Sequence, residues 1–455
     1  MSDTIYALAS GIGPAGIAVV RVSGPRAGVA MSALVPSLAS HAPPPRQAVR
    51  ATLFESESTV AIDDGMLIWF PGPASFTGED VVEFHVHGGL AVVDELVRAL
   101  AGIDGLRPAE AGEFTRRAFE NGKMDLTAAE GLADLVSAET EQQRRQALRQ
   151  LRGELGELCG RWAAALTTGL AHMEAAIDFS DEDLPEGLAA MALETATGIE
   201  QEIRRQLADG HRGERIRQGF RIAIIGAPNA GKSTLLNRLA RRDAAIVSAT
   251  AGTTRDVIEV HLDIGGFAVV MVDTAGLRQG GDEIEREGMR RTALNAENAE
   301  LRLAVVDAAN YPDVDAETLA LVESGDIVAF NKIDLVPMDG TADTTLKGLS
   351  AISICSLSAL DGAGLADLEA LIAERIGTAP AGHEAPPLTR ERHRRALEEC
   401  RDALVRARLS LESERAAEFV AEDLRLAVRA LGRVTGRVDV EDLLDIIFGE
   451  FCIGK

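Results

Sequence analysis

Residues 226–234, Gly-Ala-Pro-Asn-Ala-Gly-Lys-Ser-Thr, narrow what this chain can fold into more than any other stretch. Residues 221–225 before them are apolar and largely β-branched, and Leu235, Leu236 and Leu239 after them fall at helical spacing, so the stretch joins a strand to a helix. In that setting Gly226 and Gly231 free backbone N–H groups to wrap phosphate oxygens, Lys232 reaches the terminal phosphates, and the Ser233 hydroxyl can ligate Mg²⁺ at a positive helix N-terminus. A glycine-rich turn without a ligand is the alternative. Spacing, lysine, hydroxyl and flanking elements together favour a phosphate-binding P-loop.

A chain of 455 residues is too long for one ordinary core, and about three domains are expected. The net charge of -25 excludes a protein that grips nucleic acid across its bulk surface, because that affinity comes from phosphate neutralisation by Lys and Arg. Any RNA contact is therefore local or delegated to a partner. Cys159, Cys355, Cys400 and Cys452 lack the paired spacing of zinc or redox sites, which points to a reducing cytoplasm. No targeting segment or apolar run of membrane-spanning length is visible.

Residues 5–105 read as short strands and turns. Strands are predicted at 17–22, 66–70 and 81–86, and a helix at 92–100. In the third strand alternation puts Val82, Phe84 and Val86 on one face and Glu83, His85 and His87 on the other. That polar face suits a solvated surface, a small-molecule site or, less specifically, a metal. From 114 to 210 nearly every window is helical, with Thr127 and Glu130 resembling a capping box and an acidic break at 178–187. Strands then alternate with helices from 219 to 377, at 221–225, 257–264, 268–272, 303–307, 327–330 and 352–355. Gly265 and Gly266 make the second and third a hairpin in a mostly parallel sheet. A linker at 378–387 leads back into helices at 388–411, 416–431 and 439–448, so one helical domain is interrupted by an inserted α/β domain.

The base is named by Asn331-Lys332-Ile333-Asp334 at a strand end. The Asp334 carboxylate can accept from guanine N1 and its exocyclic amine, Lys332 can lie over the base, and the Ala359 N–H after Ser358 can meet guanine O6. Asp273 reads as an outer Mg²⁺ carboxylate and Gly276 as the γ-phosphate contact, while a threonine of 252–256 can complete the Mg²⁺ shell, so both segments read as switches. Leu277 stands where Ras-type GTPases place the glutamine that orients water. The carboxylates of Asp282, Glu283 and Glu285 are candidates for that role and Arg255 or Arg278 for charge stabilisation, against ordinary surface charge as the alternative for each.

With Phe-Cys-Ile-Gly-Lys at 451–455, Asp-Thr-Ala-Gly-Leu-Arg at 273–278, Ser-Phe-Thr-Gly-Glu-Asp at 75–80 and Gly-Glu-Phe-Thr-Arg-Arg-Ala-Phe at 112–119, the chain resembles the MnmE (TrmE) family of tRNA-modification GTPases over its whole length. The resemblance implies an N-terminal α+β domain over 1–120 that binds tetrahydrofolate and dimerises. It further implies a discontinuous helical domain over 121–217 and 379–455, and a Ras-like P-loop GTPase domain inserted at 218–378.

The implied cofactors are GTP, Mg²⁺, K⁺ and 5,10-methylenetetrahydrofolate or its 5-formyl analogue. The implied partners are a second copy, the FAD-dependent MnmG (GidA) protein in a heterotetramer, and tRNA held largely by that protein. On this resemblance Ser233 and Thr254 hold Mg²⁺, and Asn229, Ser248, Thr250 and Thr253 hold K⁺. GTP is lined by Asn229, Ala230, Gly231, Lys232, Ser233 and Thr234, and by Ser248, Ala249, Thr250, Ala251, Gly252, Thr253 and Thr254. Asp273, Thr274, Ala275, Gly276, Asn331, Lys332, Asp334, Ser358, Ala359 and Leu360 complete the nucleotide set. Glu285 orients the hydrolytic water, Arg255 stabilises charge, and Cys452 matches the family's catalytic cysteine. Arg21, Glu83 and Lys123 contact the folate, with Lys455 joining the cofactor-binding set. A ribosome-associated GTP switch and a folate transferase regulated by GTP are the rival functions, the first lacking a basic stripe here.

Overall fold

Alternating apolar side chains build the sheet at the front of the chain. The computed structural model describes residues 3–11, 13–55, 59–178, 188–241, 258–273, 299–311, 314–336, 352–377, 387–413, 417–438, 441–449 and 451–455. Internal contacts divide the chain into two units, one of residues 1–133, 150–203 and 395–455 and the other of residues 134–149 and 204–394.

In the first unit six strands lie in the order β3 (Ala48–Phe54), β4 (Ala61–Phe70), β5 (Val81–Gly88), β2 (Ala15–Ser23), β1 (Thr4–Leu8) and β6 (Leu106–Pro108). All neighbours are antiparallel except β1 with β6. Val20, Val22, Val82, Phe84 and Val86 pack against Met31 and Leu34 of α1 (Ala27–Leu34) and Leu96 and Leu100 of α2 (Leu90–Ala101). Fully burying side chains of this size contributes about 1.5–3 kcal/mol each. The strands expected at 17–22, 66–70 and 81–86 fall within β2, β4 and β5, whereas α1 and β3 were not foreseen.

Helices follow at α3 (Glu113–Glu120), α4 (Leu126–Ser137), α5 (Glu141–Leu151), α6 (Glu154–Asp178), α7 (Leu188–Leu207) and α8 (Arg212–Gln218). The capping box expected at Thr127 and Glu130 is corrected: Thr127 lies inside α4, and the Asp125 carboxylate accepts from the Ala128 N–H at 2.8 Å and from the Thr127 hydroxyl at 2.7 Å. An aspartate three residues ahead of the N–H it accepts from is the N-cap arrangement. Only Asp178 of the predicted acidic break, the last residue of α6, lies among the described residues. Among the described residues no helix is long and apolar enough to cross a membrane.

The C-terminal segment returns to the front of the first unit. Phe448 and Phe451 join Leu126, Ala129 and Leu444 in one buried cluster, and Ile453 bridges Ala111 in antiparallel fashion. Gly454 has φ +99°, and a Cβ there would collide with the Leu8 carbonyl oxygen.

The second unit is built on a sheet of order β12 (Ser353–Ser356), β11 (Ile327–Asn331), β10 (Leu301–Asp307), β7 (Phe220–Ile225), β9 (Phe267–Asp273) and β8 (Ile258–Ile264). Only the β8–β9 pair is antiparallel, joined at Gly265 and Gly266 as the sequence predicts. All six strands lie within two residues of the predicted bounds. The turn is seated on α5, where the Gln142 N–H donates to the Gly266 carbonyl at 3.2 Å.

Arg117, buried in α3, gathers the front loops. Its guanidinium donates to the Asp3 carbonyl and carboxylate at 2.8 Å, to Glu113 at 2.9 Å and to Glu79 at 3.2 Å. Arg107 donates to both Glu113 oxygens, at 2.6 and 2.9 Å. Burial alone would raise the Glu113 pKa, but the hydrogen bonds from Arg107 and Arg117 outweigh it and hold the carboxyl below its ordinary 4.5. A carboxylate depressed in the folded state contributes stability above about pH 4.5 that is lost as pH falls through its folded value. Glu113→Gln is therefore expected to cost on the order of 1–2 kcal/mol at pH 7 and to shrink that deficit below pH 4, measured by urea unfolding across pH. An equal deficit at both pH values would contradict the charge-based account.

Candidate functional site

β7 delivers the chain to the phosphate loop and α9 (Lys232–Ala240) carries it away. Gly226 and Gly231 have φ +143° and +100°, and a Cβ on either would collide, with the Val305 carbonyl oxygen or the Asn331 carboxamide. No other residue type fits those positions. Asn229 also takes a left-handed conformation, φ +64°, at the apex of the loop. The Lys232 ammonium donates to the Gly226 and Ala227 carbonyls at 2.6 and 2.9 Å, so it sits across the loop at the start of α9.

Asn331 is the keystone of this arrangement. Its side chain is buried, donates to the Ala230 carbonyl at 2.8 Å and accepts from the Ala359 N–H at 2.9 Å. One carboxamide thus joins the phosphate loop, the end of β11 and the loop after β12. The Ala359 N–H, expected to face guanine O6, is engaged by Asn331 here. Ser358 is buried and its hydroxyl accepts from the Asp361 N–H at 3.3 Å, while Asp334 and Leu360 are exposed. Lys332, in left-handed conformation, donates from Nζ to Asp307 at 2.7 Å. That hydrogen bond holds the Asp307 carboxyl below the usual carboxylate range. Sequence reasoning missed Asp307, because its partner lies 25 residues on and no motif spans that gap.

The structure thus brings together residues 229–234, Asn331, Lys332, Asp334, Ser358, Ala359 and Leu360 around one end of the sheet. The expected residues Ser248, Ala249, Thr250, Ala251, Gly252, Thr253, Thr254, Arg255, Thr274, Ala275, Gly276 and Glu285 lie outside the described residues, and of Asp273 only the strand backbone is described.

A second candidate site lies on the polar face of the front sheet. Arg21 and Glu83 are cross-strand partners, and Arg21 Nε and Nη2 donate to Glu83 Oε1 at 3.0 and 2.9 Å. The guanidinium lies between the rings of Phe76 and Phe114, 5.5 and 5.6 Å from their centroids. His85 approaches the other Glu83 oxygen at 3.4 Å, whereas His87 turns to Asp63 at 2.9 Å. The predicted three-residue polar face is thereby divided: Glu83 engages Arg21, His85 lies beside the other Glu83 oxygen, and His87 pairs with Asp63 of β4. Lys123 donates to the Pro73 carbonyl at 2.9 Å, on the loop that also carries Phe76. Of the four cysteines Cys452 is exposed and the others buried, with burial pushing Cys355 up to about 12 and raising Cys400 too. The Lys455 N–H donates to the Cys452 carbonyl at 3.3 Å.

A six-stranded sheet of order β12-β11-β10-β7-β9-β8, with the phosphate loop after its central strand and the Asn-Lys-x-Asp and Ser-Ala loops at adjacent strand ends, defines a Ras-like P-loop GTPase domain. The family model described as the MnmE helical domain matches residues 126–452, and the one described as the GTP-binding protein TrmE N-terminus matches residues 4–123. A tRNA modification GTPase MnmE of Parvibaculum lavamentivorans is 53% identical, and one of Paramagnetospirillum magneticum 54% identical, each match covering 100% of both chains. Among solved structures the G domain of the T. maritima FeoB iron transporter matches at 23% identity over 34% of this chain and 98% of that one, with a TM-score of 0.25. The chain belongs to the MnmE family of tRNA modification GTPases, with an N-terminal domain, a helical domain and an inserted G domain.

Replacing Asn331 by Ala strands the buried Ala230 carbonyl and Ala359 N–H. The expected cost is about 1–3 kcal/mol for each group left unpaired, measured by denaturant unfolding without nucleotide. Unchanged stability would show that water or a neighbour replaces the carboxamide.

Proposed function

We propose that this chain hydrolyses GTP to GDP and couples the cycle to modification of the wobble uridine of certain tRNAs. The observation that carries the reading is the Asn331 carboxamide, which clamps a glycine-shaped phosphate loop to the two loops that would read guanine. The positive end of α9 and Lys232 offer the charge a polyphosphate needs. Asp334, exposed at the same rim, would select guanine by its edge.

Mg²⁺ suits the hard oxygen donors Ser233 and Thr254, and K⁺ the carboxamide oxygen of Asn229 with Ser248, Thr250 and Thr253. When bound, these cations supply positive charge to the phosphate oxygens. Glu285 would orient the attacking water in place of the glutamine absent at Leu277, and Arg255 would add charge stabilisation. On the front sheet the Arg21–Glu83 pair, framed by two aromatic rings, together with Lys123 and Lys455, would hold a tetrahydrofolate one-carbon carrier. The exposed Cys452 would act beside it.

We place the domain boundaries at residues 1–120, 121–217, 218–378 and 379–455. A homodimer, joined by a flavin-dependent MnmG (GidA) partner that holds most of the tRNA, would fit the acidic charge of -25, and the cytoplasm would be its compartment.

GTP hydrolysis is expected to run at least tenfold faster in K⁺ than in Na⁺, and Glu285→Ala to abolish it while nucleotide affinity stays within about threefold. Equal rates in the two salts would remove the Asn229 assignment, and retained hydrolysis would return Glu285 to ordinary surface charge. In a strain lacking this chain, mass analysis should find the modified wobble uridines missing. Unchanged tRNA would exclude the coupled reaction.

A further inference from the structure

Asp307 ends β10 directly opposite Asn331 of β11, the residue before Lys332. Lys332 stands at φ +69°, a conformation that costs a non-glycine residue and so is held by its surroundings. At the far end of its side chain the ammonium donates to Asp307 Oδ2 at 2.7 Å. The other carboxylate oxygen accepts from the Ala309 N–H at 3.1 Å, capping the short turn Ala308–Asn310. The Lys332 stem is thereby fixed at its root by a strand end and at its tip by a carboxylate that is itself fixed. Lysine and aspartate side chains are 30% and 23% exposed, so the pair sits at the rim of the site and not in the core.

We propose that Asp307 is a positioning residue for the guanine base, acting through Lys332; the inference rests on the guanine-nucleotide reading of this site. A lysine stem left free samples many rotamers, and a base that lay on it would have to order it first. Held by Asp307, the four methylenes form a standing apolar shelf, and the ammonium is neutralised before the nucleotide arrives. The shelf meets the face of the base, which guanine and hypoxanthine share. Asp334 meets the edge, where they differ by the exocyclic amine. Asp307 therefore tightens both nucleotides alike, whereas Asp334 separates them.

Asp307→Asn tests this in the full-length chain, because it keeps an oxygen to cap Ala309 and removes the charge that holds Lys332. GDP and IDP affinities are measured by titration calorimetry at low and high salt. The variant is expected to lose about three- to fivefold affinity for both nucleotides, the range of a partly exposed ion pair, with the loss shrinking in high salt. Its KM for GTP rises while kcat at saturation holds. Lys332→Met weakens binding too, and adding D307N to it costs nothing more.

GDP binding by D307N as tight as in the unaltered chain would overturn the inference, and so would an equal loss in the K332M background. A loss confined to GDP would assign Asp307 to the edge of the base and overturn it also. If the unaltered chain bound neither nucleotide, the guanine-site reading would fall and this inference with it; binding by the unaltered chain with an indifferent D307N sinks the inference alone.

Discussion

The Asn331 carboxamide is the interaction on which the nucleotide site depends. Its oxygen and its nitrogen are both committed, to the Ala359 N–H and the Ala230 carbonyl, in a position 2% exposed. Burial gives each bond more weight than it would have in water and makes each one costly to leave unmade. Only a carboxamide of this length offers a donor and an acceptor at that fork. An aspartate would set a negative charge against the Ala230 carbonyl, and a leucine would leave both backbone groups bare. Gly231 completes the constraint from the other side, since its missing Cβ is the space the carboxamide occupies.

The front sheet solves a related problem with charge. A guanidinium on a sheet face is expensive to desolvate unless it is paired, and Arg21 is paired with Glu83 across the strands while two aromatic faces cover it. Arg117 does the same for the loops around it, tying residue 3, the 72–80 loop and α3 through one buried fork. Glu79 adds a further thread, since it also accepts from the Ser23 hydroxyl at 2.7 Å. Both arginines use planar donors that a lysine could not reproduce at these angles.

Much of this was legible in the sequence, and the reasons are local. The strands of the second sheet are short apolar runs bounded by glycine, aspartate or serine, so residues 221–225 and 327–330 announce themselves, and Gly265-Gly266 sets its own hairpin. α1 did not: its sequence, Ala-Gly-Val-Ala-Met-Ser-Ala-Leu, follows Ser-Gly-Pro-Arg, and no side chain caps it, so only packing on β2 and β5 makes it helical. Asp125 was overlooked in favour of Thr127 because both precede a helical run, and only the geometry shows which oxygen meets the free N–H. The nucleotide motifs were readable as motifs, but the bonds between them, Asn331 with Ala230 and Lys332 with Asp307, cross 101 and 25 residues and leave no trace in spacing.

The bridge between Ala111 and Ile453 has a consequence for how the protein is made. The two bridged residues lie 342 positions apart, and the first unit draws on residues 1–133, 150–203 and 395–455. At about 5–20 residues per second, a ribosome needs roughly 13–52 s to pass from residue 133 to residue 395. The front sheet thus emerges long before the segment that finishes its surface, while every strand of the inserted sheet is already outside the ribosome. Birth order favours completion of the insert first, with the ends of the chain joining last, so a nascent chain stalled short of residue 395 would expose the apolar surface that Phe448 and Phe451 later cover.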